Sequence, residues 1–161
     1  MGKAFTISYD ILFNKLCSDI TIQYNEKTID VKGQWDTGAT NSCISNNVVE
    51  KLSLIPIGKK IMSTPSGKSE RNTYLVDLLL PNHVKINDLE VIDSNIGEQG
   101  IGLLVGMDII MQGDFAVSNY QNKTTFTFRH PSEKKTDYVK EIKLENLVGQ
   151  KHGKGNRKKK K

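Results

Sequence analysis

The sequence is poor in the residues that build disulfide frameworks and metal clusters. Its 161 residues include two cysteines, Cys17 and Cys43, and three histidines, none of which is near another along the chain. Two cysteines are too few for a disulfide framework, a zinc ribbon or an iron–sulfur cluster. The sequence therefore predicts no metal site, and nothing in it calls for a cofactor.

Long apolar runs are also missing. Stretches such as Leu78–Leu80 and Leu103–Val105 suit buried strands, but they fall far short of the roughly 20 residues that cross a membrane. Residues 1–10 lack the long apolar core of a signal peptide. These absences predict a cytoplasmic protein that makes no membrane contact.

Positive charge is concentrated at the C-terminal end. The net charge is +5, yet seven basic residues and no acidic ones lie in residues 151–161. The rest of the chain carries 16 basic and 18 acidic residues and is mildly acidic. Because a Gly/Lys segment cannot bury a core, residues 151–161 are predicted to be a disordered tail. The tail is either solubilising or a weak, salt-sensitive anchor for nucleic acid or an acidic partner. No aromatic residues interleave with its lysines, so the tail has no side chain on which a base could stack.

Most of the chain consists of short strand patterns separated by turns. Apolar alternation over 19–24, a turn at 25–27 and a second strand pattern over 28–32 predict a hairpin. Ser45 is the expected N-cap of a short helix over 46–52. Further strands are predicted at 3–9, 43–44, 59–62, 72–80, 83–92, 103–105, 115–117 and 124–128, and helical segments at 108–112 and 138–147. Many short strands with little helix, and no internal repeat, indicate an all-β barrel or sandwich.

The most informative segment is Asp36-Thr37-Gly38-Ala39-Thr40, which directly follows an apolar strand ending at Trp35. Asp-Thr-Gly alone recurs by chance, but its setting here is specific. A turn-rich hairpin follows it. About 70 residues after the aspartate, Leu103-Leu104-Val105-Gly106 leads into a short helical segment.

Together these features resemble the retropepsin-like aspartic proteases, over roughly residues 19–129. The resemblance implies a closed acid-protease barrel with one or two short helices over residues 1–130. A charged C-terminal helix or extension over 131–150 would follow it. The sequence has one Asp-Thr-Gly, so the second carboxylate of a catalytic pair must come from a second chain. The implied enzyme is a homodimeric endopeptidase in which two copies of Asp36 share a proton and activate a water.

The same resemblance implies roles for the neighbouring residues. Thr37 would lock the two loops across the dimer axis, and Gly38 would let the backbone approach the carboxylates and orient them. Ala39 would let the substrate backbone lie against the loop, and Gly106 would support the loop from beneath. A flap would close over an extended peptide substrate, and its residues would include Ser63, Thr64, Pro65, Ser66 and Gly67.

Several alternatives remain open at the level of sequence. The same fold can capture extended peptides with little or no cleavage, and the basic tail offers a nucleic-acid-associated role on a β scaffold.

Asp108 is interpreted as a helix N-cap and not as a catalytic group. Cys43 is predicted to be a buried thiol. Residues 1–9 and the segment after Lys123 are candidate dimer contacts, because a terminal strand can complete an intermolecular sheet.

Overall fold

The computed structural model describes residues 1–64 and 67–155. Its strands are β1 (Lys3–Ser8), β2 (Cys17–Tyr24), β3 (Lys27–Trp35), β4 (Cys43–Ser45), β5 (Gly58–Thr64), β6 (Gly67–Leu80), β7 (Val84–Ser94), β8 (Leu103–Val105), β9 (Asp114–Ser118) and β10 (Thr125–His130). The α-helices are α1 (Asn46–Leu52), α2 (Met107–Ile110) and α3 (Tyr138–Gly155). Short 3₁₀ turns lie at Pro81–His83, Asn95–Gln99 and Tyr120–Asn122.

The first hairpin of the barrel, β2–β3, forms where the alternation predicted it. The two strands pair antiparallel along the whole length of β2. Ile20 and Ile22 of β2 are buried, Thr21 between them is partly exposed, and Asp19 and Gln23 on either side are exposed. Asn25 in the connecting turn has a φ of 53°, a left-handed conformation that asparagine tolerates better than most residues.

Six strands close into a barrel. Their order is β2, β3, β8, β4, β7 and β6, and β6 pairs back with β2, where Ile22 lies opposite Leu78. β3 and β8 run parallel, with Trp35 opposite Val105. The residues that follow these two strands therefore meet at the same end of the barrel. The prediction of a closed all-β barrel with few helices is confirmed.

The β5–β6 hairpin extends from one side of this barrel. The second half of β6 pairs with β7 inside the barrel, whereas its first half pairs with β5, from Gly58 opposite Thr73 to Thr64 opposite Gly67. Within the described residues β5 has no other strand partner. The predicted flap therefore corresponds to a real hairpin, but Pro65 and Ser66 at its predicted tip lie outside the described residues.

A second sheet, in the order β1, β10, β9, packs against the barrel. β1 pairs with β10 of its own chain over its whole length, so this terminal strand does not depend on a second chain for a partner. Phe5, Phe126 and Phe128 from this sheet surround the buried Trp35, and Phe115 stacks on Trp35 with ring centroids 5.4 Å apart. This aromatic cluster holds the end of β3 in a fixed position.

The two short helices start in different ways. α1 begins after Ser45, whose Oγ accepts the N–H of Val48 at 3.3 Å, so the predicted N-cap is confirmed. The prediction that Asp108 caps α2 is wrong, because Gly106 occupies the cap position and Asp108 lies inside the helix. The first N–H groups of α2 instead reach carbonyls of the Asp36 loop, which supply the partners a capping side chain would otherwise provide.

The C-terminal helix stands exposed. The sequence predicted a helix over 138–147 and a disordered tail from residue 151, whereas α3 extends to Gly155. Its apolar side chains Val139, Ile142 and Leu147 are all more than half exposed. Lysine and glutamine are good helix formers, but residues 148–155 also contain three glycines, so helix propensity does not explain the extension. Residues 156–161 lie outside the described part of the chain. No helix of the described part is long and apolar enough to span a membrane.

Candidate active site

The candidate site begins where β3 ends. Trp35 is buried, and its indole Nε1 donates to Ser18 Oγ at 3.0 Å, which anchors the strand immediately before Asp36. The backbone N–H of Asp36 donates to the carbonyl of Val105 at 2.9 Å. Packing and the parallel β3–β8 pairing thus place Asp36 in the first position of a loop at one end of the barrel.

Two short contacts shape this loop. The N–H of Gly38 donates to Asp36 Oδ1 at 2.8 Å, and the N–H of Ala39 donates to the Asp36 carbonyl at 3.2 Å. A carboxylate oxygen that accepts a backbone N–H is held in one orientation. The other oxygen, Oδ2, accepts no hydrogen bond from any residue that the structure describes. Thr37, the next residue in the loop, is exposed.

A second loop packs against the first. Gly106 follows β8, and a Cβ atom at this position would lie 2.7 Å from the backbone carbon of Asn41 and 3.0 Å from the carbonyl oxygen of Ala39. Only glycine fits this close approach. Immediately after it, the N–H of Met107 donates to the Ala39 carbonyl at 2.8 Å. The structure therefore brings Gly106 against the loop that Asp36, Thr37, Gly38 and Ala39 form.

Side chains also join the two loops, through a pair that the sequence interpretation did not assign to the site. Asp108 Oδ2 accepts the N–H of Ser42 at 2.8 Å, and Asp108 Oδ1 accepts the Ser42 hydroxyl at 2.7 Å. Ser42 Oγ in turn accepts the N–H of Gly106 at 3.0 Å. We call this arrangement the Ser42–Asp108 clasp. The sequence signal was the Gly-Met-Asp order after β8, where an aspartate follows the glycine in the first turn of a helix.

An open groove runs between the Asp36 loop and β5. Its volume is about 610 Å³. Gly38 and Ala39 form part of one wall, and Met62 and Ser63 of β5 form part of the other. The remaining lining residues are Thr40, Asn41, Cys43, Lys60, Ile61, Ile92, Ser94 and Leu104. Of the predicted flap residues, Ser63 lines the groove, while Thr64 and Gly67 form the last described pair of the hairpin.

Cys43 lies in the floor of this groove and is the other group with nucleophilic chemistry. It is 6% exposed, so the predicted burial is confirmed. Burial, together with the negative charges of Asp108, Asp36 and Asp93, raises the pKa of the Cys43 thiol to about 11. A thiol with this pKa stays protonated at neutral pH and is a poor nucleophile.

The three carboxylates around Cys43 differ in how they are bonded. Asp108 is held by Ser42 through both of its oxygens. Asp93 accepts the backbone N–H of Asn72 at 3.1 Å and its side-chain amide at 3.4 Å. Asp36 has one oxygen bonded and one open. It is therefore the carboxylate of this group that retains an oxygen for a water or a substrate.

Comparison with solved structures decides the fold. The crystal structure of a retropepsin-like aspartic protease from Rickettsia conorii superposes on 81% of this chain and 96% of its own, with a TM-score of 0.53 and 12% sequence identity.

The chain has the retropepsin-like fold.

Two further structures match the retropepsin-like chain over shorter stretches. The solution structure of Simian Foamy Virus (mac) protease is 20% identical, covers 59% of this chain and 91% of its own, and has a TM-score of 0.44. The retroviral protease-like domain of Ddi1 from Leishmania major is 16% identical, covers 62% and 79%, and has a TM-score of 0.39. No protein-family model and no curated protein sequence matches the chain. The Rickettsia conorii structure confirms the resemblance stated from the sequence at the level of the retropepsin-like fold.

Proposed function

We propose that the protein is an aspartic endopeptidase that acts as a homodimer, with Asp36 from each protomer forming the catalytic pair. The observation that carries this proposal is the state of Asp36. It begins the loop whose Gly38 and Ala39 line the groove, one of its oxygens is oriented by the N–H of Gly38 at 2.8 Å, and the other accepts no hydrogen bond from the described residues. A carboxylate that acts as a general base on a water must be held in a fixed orientation and must have an oxygen free to accept the proton of the water.

The need for two protomers follows from the chemistry. Hydrolysis by carboxylates alone needs one ionised group to take a proton from water and one neutral group to polarise the scissile carbonyl. The chain has one Asp-Thr-Gly loop, so a two-fold axis beside Asp36 supplies the second group directly. In such a dimer the exposed Thr37 would meet its counterpart across that axis.

The reaction then proceeds without a covalent intermediate. The ionised Asp36 accepts a proton from the bound water as the water oxygen attacks the carbonyl carbon of the peptide bond. The neutral Asp36 of the other protomer hydrogen-bonds the carbonyl oxygen. Collapse of the tetrahedral intermediate breaks the C–N bond, and a proton from the pair goes to the leaving amine. The pair titrates as one unit, so its pKa values belong to neither copy alone.

The groove favours an extended peptide as substrate. β5 pairs with β6 on one side, and on the other side its backbone has no strand partner among the described residues. A peptide lying in the groove can add to that edge as a further strand, with its alternate side chains directed toward Met62, Ile92 and Leu104. Closure of the hairpin over the peptide would exclude water from the reaction.

The direct test is cleavage of a peptide library by the purified full-length protein, with Asp36→Asn as the matched control. The substitution is nearly isosteric and removes the ionisable group from both halves of the site. We expect the wild type to cleave a subset of peptides and the variant to lose at least about 10³-fold in rate, the scale of losing an essential catalytic group. The thermal midpoint of the variant shows whether it is folded.

Two outcomes of this assay would count against the proposal. Cleavage by Asp36→Asn at the wild-type rate would remove Asp36 from the mechanism. Binding of library peptides by the wild type with no cleavage at any pH between about 3 and 8 would favour a peptide-binding module. A statine-containing peptide, which presents a hydroxyl to the carboxylate pair, provides a second check, since it should inhibit the active enzyme.

A further inference from the structure

The Ser42–Asp108 clasp lies outside the proposed catalytic pair, yet it joins the two loops that build the site. Asp108 accepts both the N–H and the hydroxyl of Ser42, at 2.8 and 2.7 Å. The same hydroxyl oxygen accepts the N–H of Gly106 at 3.0 Å. The Ser42 hydroxyl therefore donates one hydrogen bond and accepts one, and the two bonds lead to Asp108 and to Gly106.

Burial and charge make this arrangement more than a surface contact. Ser42 is fully buried, and the Asp108 side chain is partly buried beneath the loop. Hydrogen bonds to an ionised carboxylate are roughly twice as strong as those between neutral groups. Removing the Asp108 carboxylate leaves the N–H and the hydroxyl of the buried Ser42 without their acceptor, and removing the Ser42 hydroxyl leaves the buried Gly106 N–H without its own.

The clasp pins one end of the loop that begins at Asp36. The N–H of Asp36 is held by the Val105 carbonyl at 2.9 Å, and the middle of the loop is held where Met107 donates to Ala39 at 2.8 Å. Ser42 is the far end, and its own carbonyl accepts the N–H of Ile92 at 3.1 Å. Among these connections between the two loops, the clasp is the one made by side chains.

We infer that Asp108 is a positioning residue for the proposed reaction, acting through Ser42 to hold the Asp36 loop in its productive geometry. This inference rests on the proposed function. Neither Ser42 nor Asp108 lines the groove, so their loss should alter the placement of Asp36 more than the binding of a peptide. The predicted signature is a fall in kcat with little change in KM.

The kinetic test compares Asp108→Asn and Ser42→Ala with Asp114→Asn as the matched control. Asp114 also accepts hydrogen bonds from a serine hydroxyl and from backbone N–H groups, but it lies at the start of β9 in the second sheet. With a fluorogenic peptide selected from the library, we expect kcat to fall on the order of 10- to 100-fold in each clasp variant, with KM within about twofold. The double variant should be no worse than the poorer single variant. Asp114→Asn should keep its kcat at temperatures where it is folded.

Amide hydrogen exchange provides a readout that needs no activity. In both clasp variants, exchange should accelerate at the N–H groups of Asp36 and Met107, whose own acceptors are unchanged, and it should not accelerate there in Asp114→Asn. Wild-type kcat in folded Asp108→Asn and Ser42→Ala, or unaltered exchange at these two amides, would overturn the inference. If the wild type cleaves no peptide, the proposed function fails, and exchange alone decides whether the clasp orders the loop.

Discussion

At the scale of single residues, Asp36 lies close enough to Cys43 for its charge to raise the pKa of the thiol, yet the two side chains have opposite chemical properties. Asp36 is half-buried, with one oxygen oriented and one open. Cys43 is buried, and its pKa is raised to about 11 by burial and by the surrounding carboxylates. A thiolate mechanism is disfavoured by the same negative charges that accompany a carboxylate mechanism.

This contrast predicts that thiol reagents do not inactivate the enzyme. At pH 8 iodoacetamide should react slowly with Cys43, because only the thiolate is nucleophilic and its population at this pH is on the order of one part in a thousand for a pKa of about 11. Mass spectrometry of the treated protein identifies which cysteine is modified. Loss of activity in step with modification of Cys43, and an activity that rises steadily into alkaline pH, would instead favour a thiol mechanism.

Asp114 predicts how stability depends on acid. The N–H of Glu133, the Ser132 hydroxyl and the Arg129 guanidinium bond its carboxylate and hold its pKa well below the usual range. A depressed folded-state pKa contributes stability that is present above the unfolded value, about 3.9, and is lost as the pH falls through the folded value. We expect the thermal midpoint to decline below about pH 4.

The matched variant isolates this contribution. Asp114→Asn cannot ionise, so its midpoint should be lower than that of the wild type at pH 7 and should decline less steeply in acid. Differential scanning calorimetry between pH 2 and 7 measures both curves. Parallel curves for the two proteins would show that Asp114 does not link protonation to stability.

The sequence predicted that Gly106 packs against the loop that begins at Asp36, because Asp-Thr-Gly-Ala and the later glycine have a fixed order, and the structure places them together. The catalytic role of Asp36 stays a prediction. Asp108 was misinterpreted as an N-cap, because aspartate before a short helix usually caps it. Its actual partner, Ser42, is 66 residues away in sequence, and no local pattern predicts that contact.

At the scale of elements, the flap hairpin is the part of the site with the least support from the core. β6 is the one strand partner of β5 among the described residues, and β5 reaches the rest of the barrel through Met62, which packs beside Cys43 and Ile92, and through the Lys60–Glu90 ion pair at 2.8 Å. This ion pair and the Lys59–Glu70 pair that joins β5 to β6 are both exposed. Exposed pairs of this kind contribute about 0–1 kcal/mol. The hairpin can therefore change its position without unfolding the barrel.

Gly67 provides a test of the flap. Its φ is 127°, a conformation that side chains of L-amino acids rarely adopt. Gly67→Ala should strain the turn by about 1–3 kcal/mol, which the hairpin relieves by rearranging. We expect kcat/KM for a library peptide to fall about tenfold or more, while the global thermal midpoint changes little. Unchanged kcat/KM would argue against a role of this hairpin in substrate binding.

Strand positions were largely predictable, but their order around the barrel was not. Alternation identified β2 and β3 to within two or three residues at each end, because one face of that hairpin packs on the core and the other faces solvent. The closure of β6 on β2 and the parallel β3–β8 pairing join segments far apart in sequence. The family resemblance predicted the closed barrel, whereas the alternation of apolar residues alone was compatible with either a barrel or a sandwich.

At the scale of the whole molecule, the account requires assembly. One Asp-Thr-Gly loop per chain is half a site, so a monomer should have no hydrolytic activity. Specific activity should fall on dilution below the dimer dissociation constant, because the active species then depends on mass action. Sedimentation velocity over the same concentrations tests this. Activity that stays proportional to protein where only monomer sediments would contradict it.

The pH profile of the dimer is a further expectation. One proton shared by two carboxylates predicts a bell-shaped dependence of kcat/KM with a mildly acidic optimum, since activity is lost when both groups are ionised and when both are protonated. Initial rates between pH 3 and 9 measure this dependence. The loss of activity on the alkaline side of the optimum should occur at pH values where Asp114 still stabilises the fold.

The most direct measurement for the central claim is subunit mixing. Wild-type protein is incubated with Asp36→Asn protein until subunits have exchanged, and cleavage of a library peptide is followed. With a threefold excess of the variant, random exchange leaves about one quarter of the wild-type subunits in wild-type dimers, so activity should fall to about one quarter. An equal excess of Asp114→Asn controls for non-specific effects and should not lower the activity. Activity that tracks only the amount of wild-type chain, however much Asp36→Asn is added, would contradict a site shared between two protomers.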